Sequence, residues 1–242
     1  ALHLLEHRHL VLLLVSMLSV VLPAFPQGNL DPPADALTNG APVASMKSLN
    51  QIEPRTLIAQ LPFIIVAPGS YYITMPLLGC PSSNGITISA SNVRLDLCGF
   101  PLIGGSNSVD GIAVTVPCDN IAVRNGVLIN CGKFGLNAMM AKGVVLADLK
   151  AMGNGWGGLY TGADSLVERC SAYDNGKGNM GYPAPGTNPP VTDGMQAGPF
   201  STITECKAGM NQGAGIHTYE HSRIMGCTAT ESRQANGFWV ED

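Results

Sequence analysis

Near the end of the chain, Asp193, His217, Glu220 and His221 bring carboxyl and imidazole groups into two neighbouring stretches. His217, Glu220 and His221 offer nitrogen and oxygen donors of the type that hold a divalent ion, although a His-x-x-Glu-His group at a turn is more often solvated or hydrogen-bonded to backbone. Cleaving a glycoside by acid and base catalysis needs two carboxyls at a set separation, and lyase chemistry needs a cation beside a basic side chain. Asp193, His217 and Glu220 are the catalytic candidates, with Asp174, Glu168, Glu205, Arg169 and Lys207 in adjoining segments. None of them stands in a recognisable catalytic signature, so spacing alone yields no activity. No resident metal or cofactor is expected, and a divalent cation such as calcium enters only with a lyase reading.

A second set suggests binding. Asn137, Tyr160, Gln196, His217 and Trp239 each lie two residues after a glycine that opens a short apolar pattern, and Tyr182 lies in the one long interruption of that pattern. Aromatic faces alternating with amide and imidazole groups suit a chain of sugar rings. A bare β surface carries outward aromatics as well. Polysaccharide is therefore the expected partner, with a purely structural or adhesive role as the alternative.

The elements that must position these residues form a repeat. Gly85, Gly111, Gly135, Gly158, Gly194, Gly215 and Gly237 each precede alternating apolar residues, at intervals of 26, 24, 23, 36, 21 and 22. A second column follows each glycine: Leu146, Leu149, Ala151, Asn154; Val167, Cys170, Ala172, Asn175; Ile203, Cys206, Ala208, Asn211; Ile224, Cys227, Ala229, Ser232. Earlier turns fit through Leu95, Cys98, Phe100, Ile103 and Val123, Gly126, Leu128, Cys131. Short period-2 segments joined by Gly and Asn cannot bury their inward side chains alone, so successive turns must stack. The expectation is an all-β, single-stranded, right-handed parallel β-helix of about seven rungs with an N-terminal capping segment. Asn154, Asn175 and Asn211 are predicted to form an asparagine ladder. A leucine-rich horseshoe has a similar period but needs a leucine spacing absent here.

These repeats resemble those of the pectate-lyase-like superfamily. The segments Gln51-Ile52-Glu53-Pro54-Arg55-Thr56, Pro68-Gly69-Ser70-Tyr71-Tyr72 and Asn92-Val93-Arg94-Leu95-Asp96-Leu97-Cys98-Gly99-Phe100 are similar to secreted β-helix proteins of Gram-negative environmental bacteria. The resemblance covers residues 46–242. It implies the fold, and a choice between polysaccharide binding and a lyase or glycoside hydrolase activity, because one fold hosts many functions.

Composition agrees with a solenoid and narrows the partners. There are 29 glycines, and charged residues make up only 12%, which disfavours a helical bundle. A net charge of -4 without a basic stripe gives no footprint for nucleic acid. Arg8 followed by the apolar run from Leu10 to Leu22 and then Pro23 and Pro26 reads as a secretory signal peptide over 1–28, which predicts a secreted, periplasmic or cell-surface protein without a stable membrane span after cleavage. Residues 29–58, bearing Pro32, Pro33, Pro42 and Pro54, read as a linker or arm, and 59–242 as the β-helix. Phe63 to Val66 and Tyr71 to Met75, split by Pro68-Gly69, suggest a hairpin or strand pair that opens the ordered domain and covers the first rung. The absence of a polar capping turn after Gly237 leads to the expectation that the natural chain continues beyond Asp242. Of the 7 cysteines, Cys98, Cys170, Cys206 and Cys227 are expected to be free in an inward column and Cys131 free at another inward site, with Cys80 and Cys118 the candidates for a bridge.

Overall fold

The computed structural model describes residues 54–79, 81–105, 107–176, 192–233 and 235–241, together with the strand pair Leu37–Thr38 and Ala41–Pro42. The chain divides into two compact units, Ala1–Ile52 and Glu53–Asp242. Within the first, Leu37–Thr38 pairs antiparallel with Ala41–Pro42. The proposed signal peptide, Cys80, Tyr182 and Asp242 lie outside the described residues.

The second unit is a parallel solenoid with no helix among its described residues. One sheet stacks eight strands: Phe63–Ile65, Ile86–Ile88, Ile112–Val114, Leu136–Ala138, Leu159–Thr161, Met195–Ala197, Ile216–Thr218 and Phe238–Val240. Each pairs in parallel with the strand one repeat away, so like positions in consecutive turns become neighbours. A second face carries strands such as Val93–Asp96, Leu166–Glu168, Thr202–Thr204 and Arg223–Met225. A third carries Ser171–Tyr173, Lys207–Gly209 and Thr228–Thr230. On these faces too, every neighbouring pair runs parallel.

The sequence explains the stacking. Inward positions hold β-branched or leucine side chains, with Ile86, Ile88, Ile112, Leu128, Leu146, Leu159, Ile203 and Ile216 wholly enclosed. The glycine column is a matter of clearance. A methyl group on Gly111 would sit 2.6 Å from the Gly135 carbonyl oxygen, and one on Gly194 2.6 Å from that of Gly215. Any larger residue would push successive turns apart.

Three corners connect the strands, and each places one residue in the left-handed region. Asn92, Asn120, Asp164, Phe200 and His221 take it at the first corner, Asn125, Asp148, Arg169 and Glu205 at the second, and Asn130, Asp174, Met210 and Glu231 at the third. Asn and Asp tolerate this conformation best, which is why they recur there.

Beside the third corner runs the asparagine ladder. Asn154 Nδ2 donates to Asn175 Oδ1 at 2.9 Å, and Asn175 Nδ2 donates to Asn211 Oδ1 at 2.9 Å. The same amide oxygens accept the backbone N–H groups of Asn154 and Asn175. The side-chain nitrogens also donate to Leu128, Ala151 and Ala172 carbonyls. All three asparagines are fully buried.

Four expectations require correction. Phe63–Ile65 and Gly69–Tyr72 form neither a hairpin nor a strand pair with each other: they lie in different sheets and pair in parallel with Ile86–Ile88 and Val93–Asp96, so they belong to a rung. Arg55–Leu57, assigned to the arm, is a strand paired with Ser70, Tyr71 and Tyr72. Cys98 stands outside the cysteine column. Between Leu95 and its inward partner Leu102 the chain is longer than between Val123 and Leu128, so Leu97, not Cys98, packs beside Gly126, and Leu102 pairs with Leu128. Cys118 is unbridged, buried in the short strand Cys118–Asp119. The column thiols are free as expected, with the Cys170 and Cys206 amides donating to the Cys206 and Cys227 sulfurs.

Candidate functional site

The middle residue of each strand in the eight-stranded sheet points away from the core, and the register places Asn137, Tyr160, Gln196, His217 and Trp239 in one column, as the repeat predicted. The expected open aromatic strip does not result. Tyr160 is wholly buried, and Gln196 and His217 are nearly so, whereas Trp239 is 46% exposed.

Tyr160 is enclosed because its ring packs against Phe134 at 4.7 Å and lies over Gly157, where a side chain would collide with it. Its hydroxyl accepts the Asp193 N–H at 2.8 Å and faces the Asp193 carbonyl at 3.4 Å. Burial pushes the Tyr160 phenol well above its ordinary value, so it stays protonated. Tyr160 is therefore a brace for Asp193 and not a stacking platform.

Asp193 immediately precedes Gly194 and uses both oxygens. Oδ1 accepts the Ala214 N–H at 2.7 Å, and Oδ2 lies 2.8 Å from His217 Nδ1. The carboxylate accepts, so Nδ1 is the donor of this pair. The imidazole is held between Tyr219 and Trp239, stacked at 4.9 and 5.0 Å. Its Nε2 lies 3.4 Å from Glu241 Oε2 but without hydrogen-bond alignment, and it has no hydrogen-bond partner. On the adjoining strand Gln196 Nε2 donates to Tyr219 Oη at 2.6 Å, while Gln196 Oε1 is left unpartnered. Burial, with the Glu241 charge second, raises the Tyr219 phenol, which keeps its own proton to donate.

The same construction occurs earlier in the solenoid. Asp110, the residue before Gly111, accepts the Phe134 N–H at 3.0 Å through Oδ1 and the Asn137 side-chain N–H at 3.3 Å through Oδ2. An acidic residue one position before the glycine thus orients the outward side chain of the next turn in both places. Asp110 is paired to an amide, and burial raises its carboxyl above the usual range.

Glu220 and His221 do not join His217. His221 occupies the left-handed position of the first corner and stacks on Phe200, its neighbour in that corner column, at 4.9 Å. The Glu220 carbonyl accepts the Phe200 N–H, and its side chain is exposed. Among the described residues no three His, Cys, Asp or Glu side chains converge to hold a metal ion. The strand geometry explains the separation: His217 points off the sheet, and the chain then turns the corner at His221.

A feature that motif reading missed lies on the second face. A groove of about 490 Å³ is lined by Arg55, Arg94, Arg124 and Arg169 together with Asp96, Asp148 and Glu168. Arg124 bonds Asp96 at 3.0 Å, and Arg169 bonds Asp148 at 2.9 Å and Glu168 at 2.8 Å. Burial works to raise the Asp96 carboxyl, but the Cys98 amide and Arg124 more than offset it and hold it below its usual value. These arginines are scattered along the chain. Writing the turns in register beside Leu95, Val123 and Val167 would have revealed them.

The family model for the right-handed β-helix region matches residues 81–242. The chain belongs to that right-handed β-helix family. No curated protein and no solved structure matches it. The family accounts for the solenoid, and the β-helix's own residues must account for any ligand.

Proposed function

We propose that this β-helix is a secreted or cell-surface protein that binds polysaccharide along the face carrying Gln196, His217 and Trp239. One observation carries the reading: two buried polar atoms on adjacent strands, Gln196 Oε1 and His217 Nε2, lack partners beside a half-exposed indole. Buried polar atoms are almost always satisfied, so a pair of orphans marks a place where a ligand's donors belong. Sugar hydroxyls supply such donors, and Trp239 supplies the apolar face on which a sugar ring rests. The export assignment rests on the Leu10 to Leu22 run and its flanking residues.

Glycan-array binding tests the reading, with His217→Ala and Trp239→Ala as controls. Retention of a glycan class by the parent chain, weakened about tenfold or more by either substitution, supports it. No retention of any glycan, or retention indifferent to both changes, sinks it.

The Asp193 and His217 pair favours one further reading, a polysaccharide lyase or hydrolase in which His217 Nε2 abstracts a proton. Release of unsaturated uronate or of reducing ends, abolished by His217→Ala, would replace binding with catalysis.

A further inference from the structure

We propose that the glycan recognised at the face carrying Gln196, His217 and Trp239 is built of amino sugars, whose ammonium group is held by Glu241 and the Trp239 indole. The inference rests on the polysaccharide reading above and narrows it to one class of sugar. Charge is the starting point. Residues 156–164, 193–200, 212–221 and 235–241 supply the last four strands of the eight-stranded sheet and the turns beside them. They contain Asp164, Asp193, Glu220 and Glu241 but no lysine or arginine, although the chain has 13 of these cations.

A series of contacts joins the groups of the site. Gln196 Nε2 meets Tyr219 Oη at 2.6 Å, Tyr219 stacks on His217 at 4.9 Å, and His217 stacks on Trp239 at 5.0 Å. The imidazole also lies between two carboxylates, with Asp193 Oδ2 2.8 Å from Nδ1 and Glu241 Oε2 3.4 Å from Nε2. Two carboxylates outweigh one imidazole, so the trio is net negative whichever protonation state His217 takes. The field reaches Tyr219, whose phenol is raised by burial first, then by the Glu241 charge, with Asp193 adding to them. Asp193 is spent on the Ala214 amide and the imidazole. The Glu241 side chain is half-exposed and makes no aligned hydrogen bond to His217, so it is the carboxylate that a ligand reaches.

These groups select an ammonium. A net negative site repels uronates and attracts a cation. Gln196 Oε1, buried on the strand next to that of His217, is an acceptor without a partner, and an ammonium only donates. Trp239 contributes an indole, the aromatic ring that holds cations best. The chain makes such a contact once within itself, where Lys133 Nζ rests 4.6 Å over the Trp156 ring. Trp239 has no such cation among the described residues, and at 46% exposure its ring is open to one from outside. A metal ion needs several converging ligands, and no three His, Cys, Asp or Glu side chains converge among the described residues. The sugar ring that carries the ammonium rests its apolar face on the same indole.

Calorimetric titration of the whole chain tests the assignment. The probes are an oligosaccharide of glucosamine, its fully N-acetylated counterpart, an oligosaccharide of uronate, and methylammonium alone. At low salt the glucosamine probe should bind at least about fivefold more tightly than the N-acetylated one, and added salt should narrow the gap. Glu241→Gln should weaken the glucosamine probe about fivefold and bring the two within about twofold of each other. Glu241 is half-exposed, so this substitution leaves the fold intact, which circular dichroism of the same samples checks. A gap that survives Glu241→Gln, or a uronate probe bound as tightly as glucosamine, overturns the ammonium assignment. Equal affinity for the glucosamine and N-acetylated probes overturns it as well and leaves the polysaccharide reading standing. Methylammonium bound as tightly as the oligosaccharide overturns the sugar carrier. Binding of no probe overturns the assignment, and failure of the polysaccharide reading itself then shows separately as an empty glycan array.

Discussion

Two rows of polar side chains run along this solenoid, and they differ in what they leave over. In the ladder of Asn154, Asn175 and Asn211, the amide groups bond one another and the backbone of adjoining turns. In the outward column Tyr160, Gln196 and His217 are nearly as buried, yet Gln196 Oε1 and His217 Nε2 have no partner. The ladder is complete in itself and serves the fold. The column leaves two polar atoms open, which is where the proposed ligand would bond.

The sharpest way to break the contrast is Asn175→Leu. It strips the Asn154 backbone N–H of its acceptor and removes one bond each from Asn154 Nδ2, the Ala151 carbonyl and Asn211 Oδ1 in a dry corner, where an unsatisfied group costs about 1–3 kcal/mol. A loss of about 2 kcal/mol or more by urea unfolding is expected; a loss under about 1 kcal/mol would falsify the ladder's structural role. Gly157→Ala comes next, because the added methyl drives the Tyr160 ring off the Asp193 backbone. It should cost about 1–3 kcal/mol and also weaken glycan retention, since the Asp193 and His217 pair loses its brace.

Gln196→Leu reverses the pattern. Removing an amide that is only half-satisfied should change stability by less than about 1 kcal/mol in either direction while glycan retention falls about tenfold. Equal damage from Asn175→Leu and Gln196→Leu in unfolding experiments would erase the distinction between the rows.

The smallest effect belongs to pH. Burial raises the Asp110 carboxyl in the folded state. Its contribution is therefore present below the ordinary value of 3.8 and is lost as pH rises through the folded value. Asp110→Asn removes that loss, so the variant should gain on the parent chain between about pH 3 and pH 7 in unfolding experiments. A constant gap across that range would mean that burial does not govern the carboxyl.

The stacked columns were legible because the repeat repeats: Cys170, Cys206 and Cys227 each lie 12 residues after their glycines, and Asn175 and Asn211 each lie 17 after theirs. Cys98 was misplaced because its turn is longer at a corner, which no offset count reveals without the pairing. The outward column was found, but its burial was not, since Tyr160 is enclosed by Phe134 and by the bare backbone of Gly157. His217, Glu220 and His221 looked like one group in sequence. A corner separates them. The arginine groove was hidden for the opposite reason: Arg55, Arg94, Arg124 and Arg169 are remote in sequence and adjacent only through the stacking.

Asn154 and Asn175 are bonded across a sequence separation of 21, and Asn175 and Asn211 across 36, with the same 2.9 Å geometry. The corner is therefore indifferent to how much chain is spent between one rung and the next at this point. Foreign peptide, a tag or a whole small domain could be spliced between Gly176 and Thr192 while the register on either side continues unbroken. Evolution or an engineer could lengthen the molecule's reach there without touching its spine.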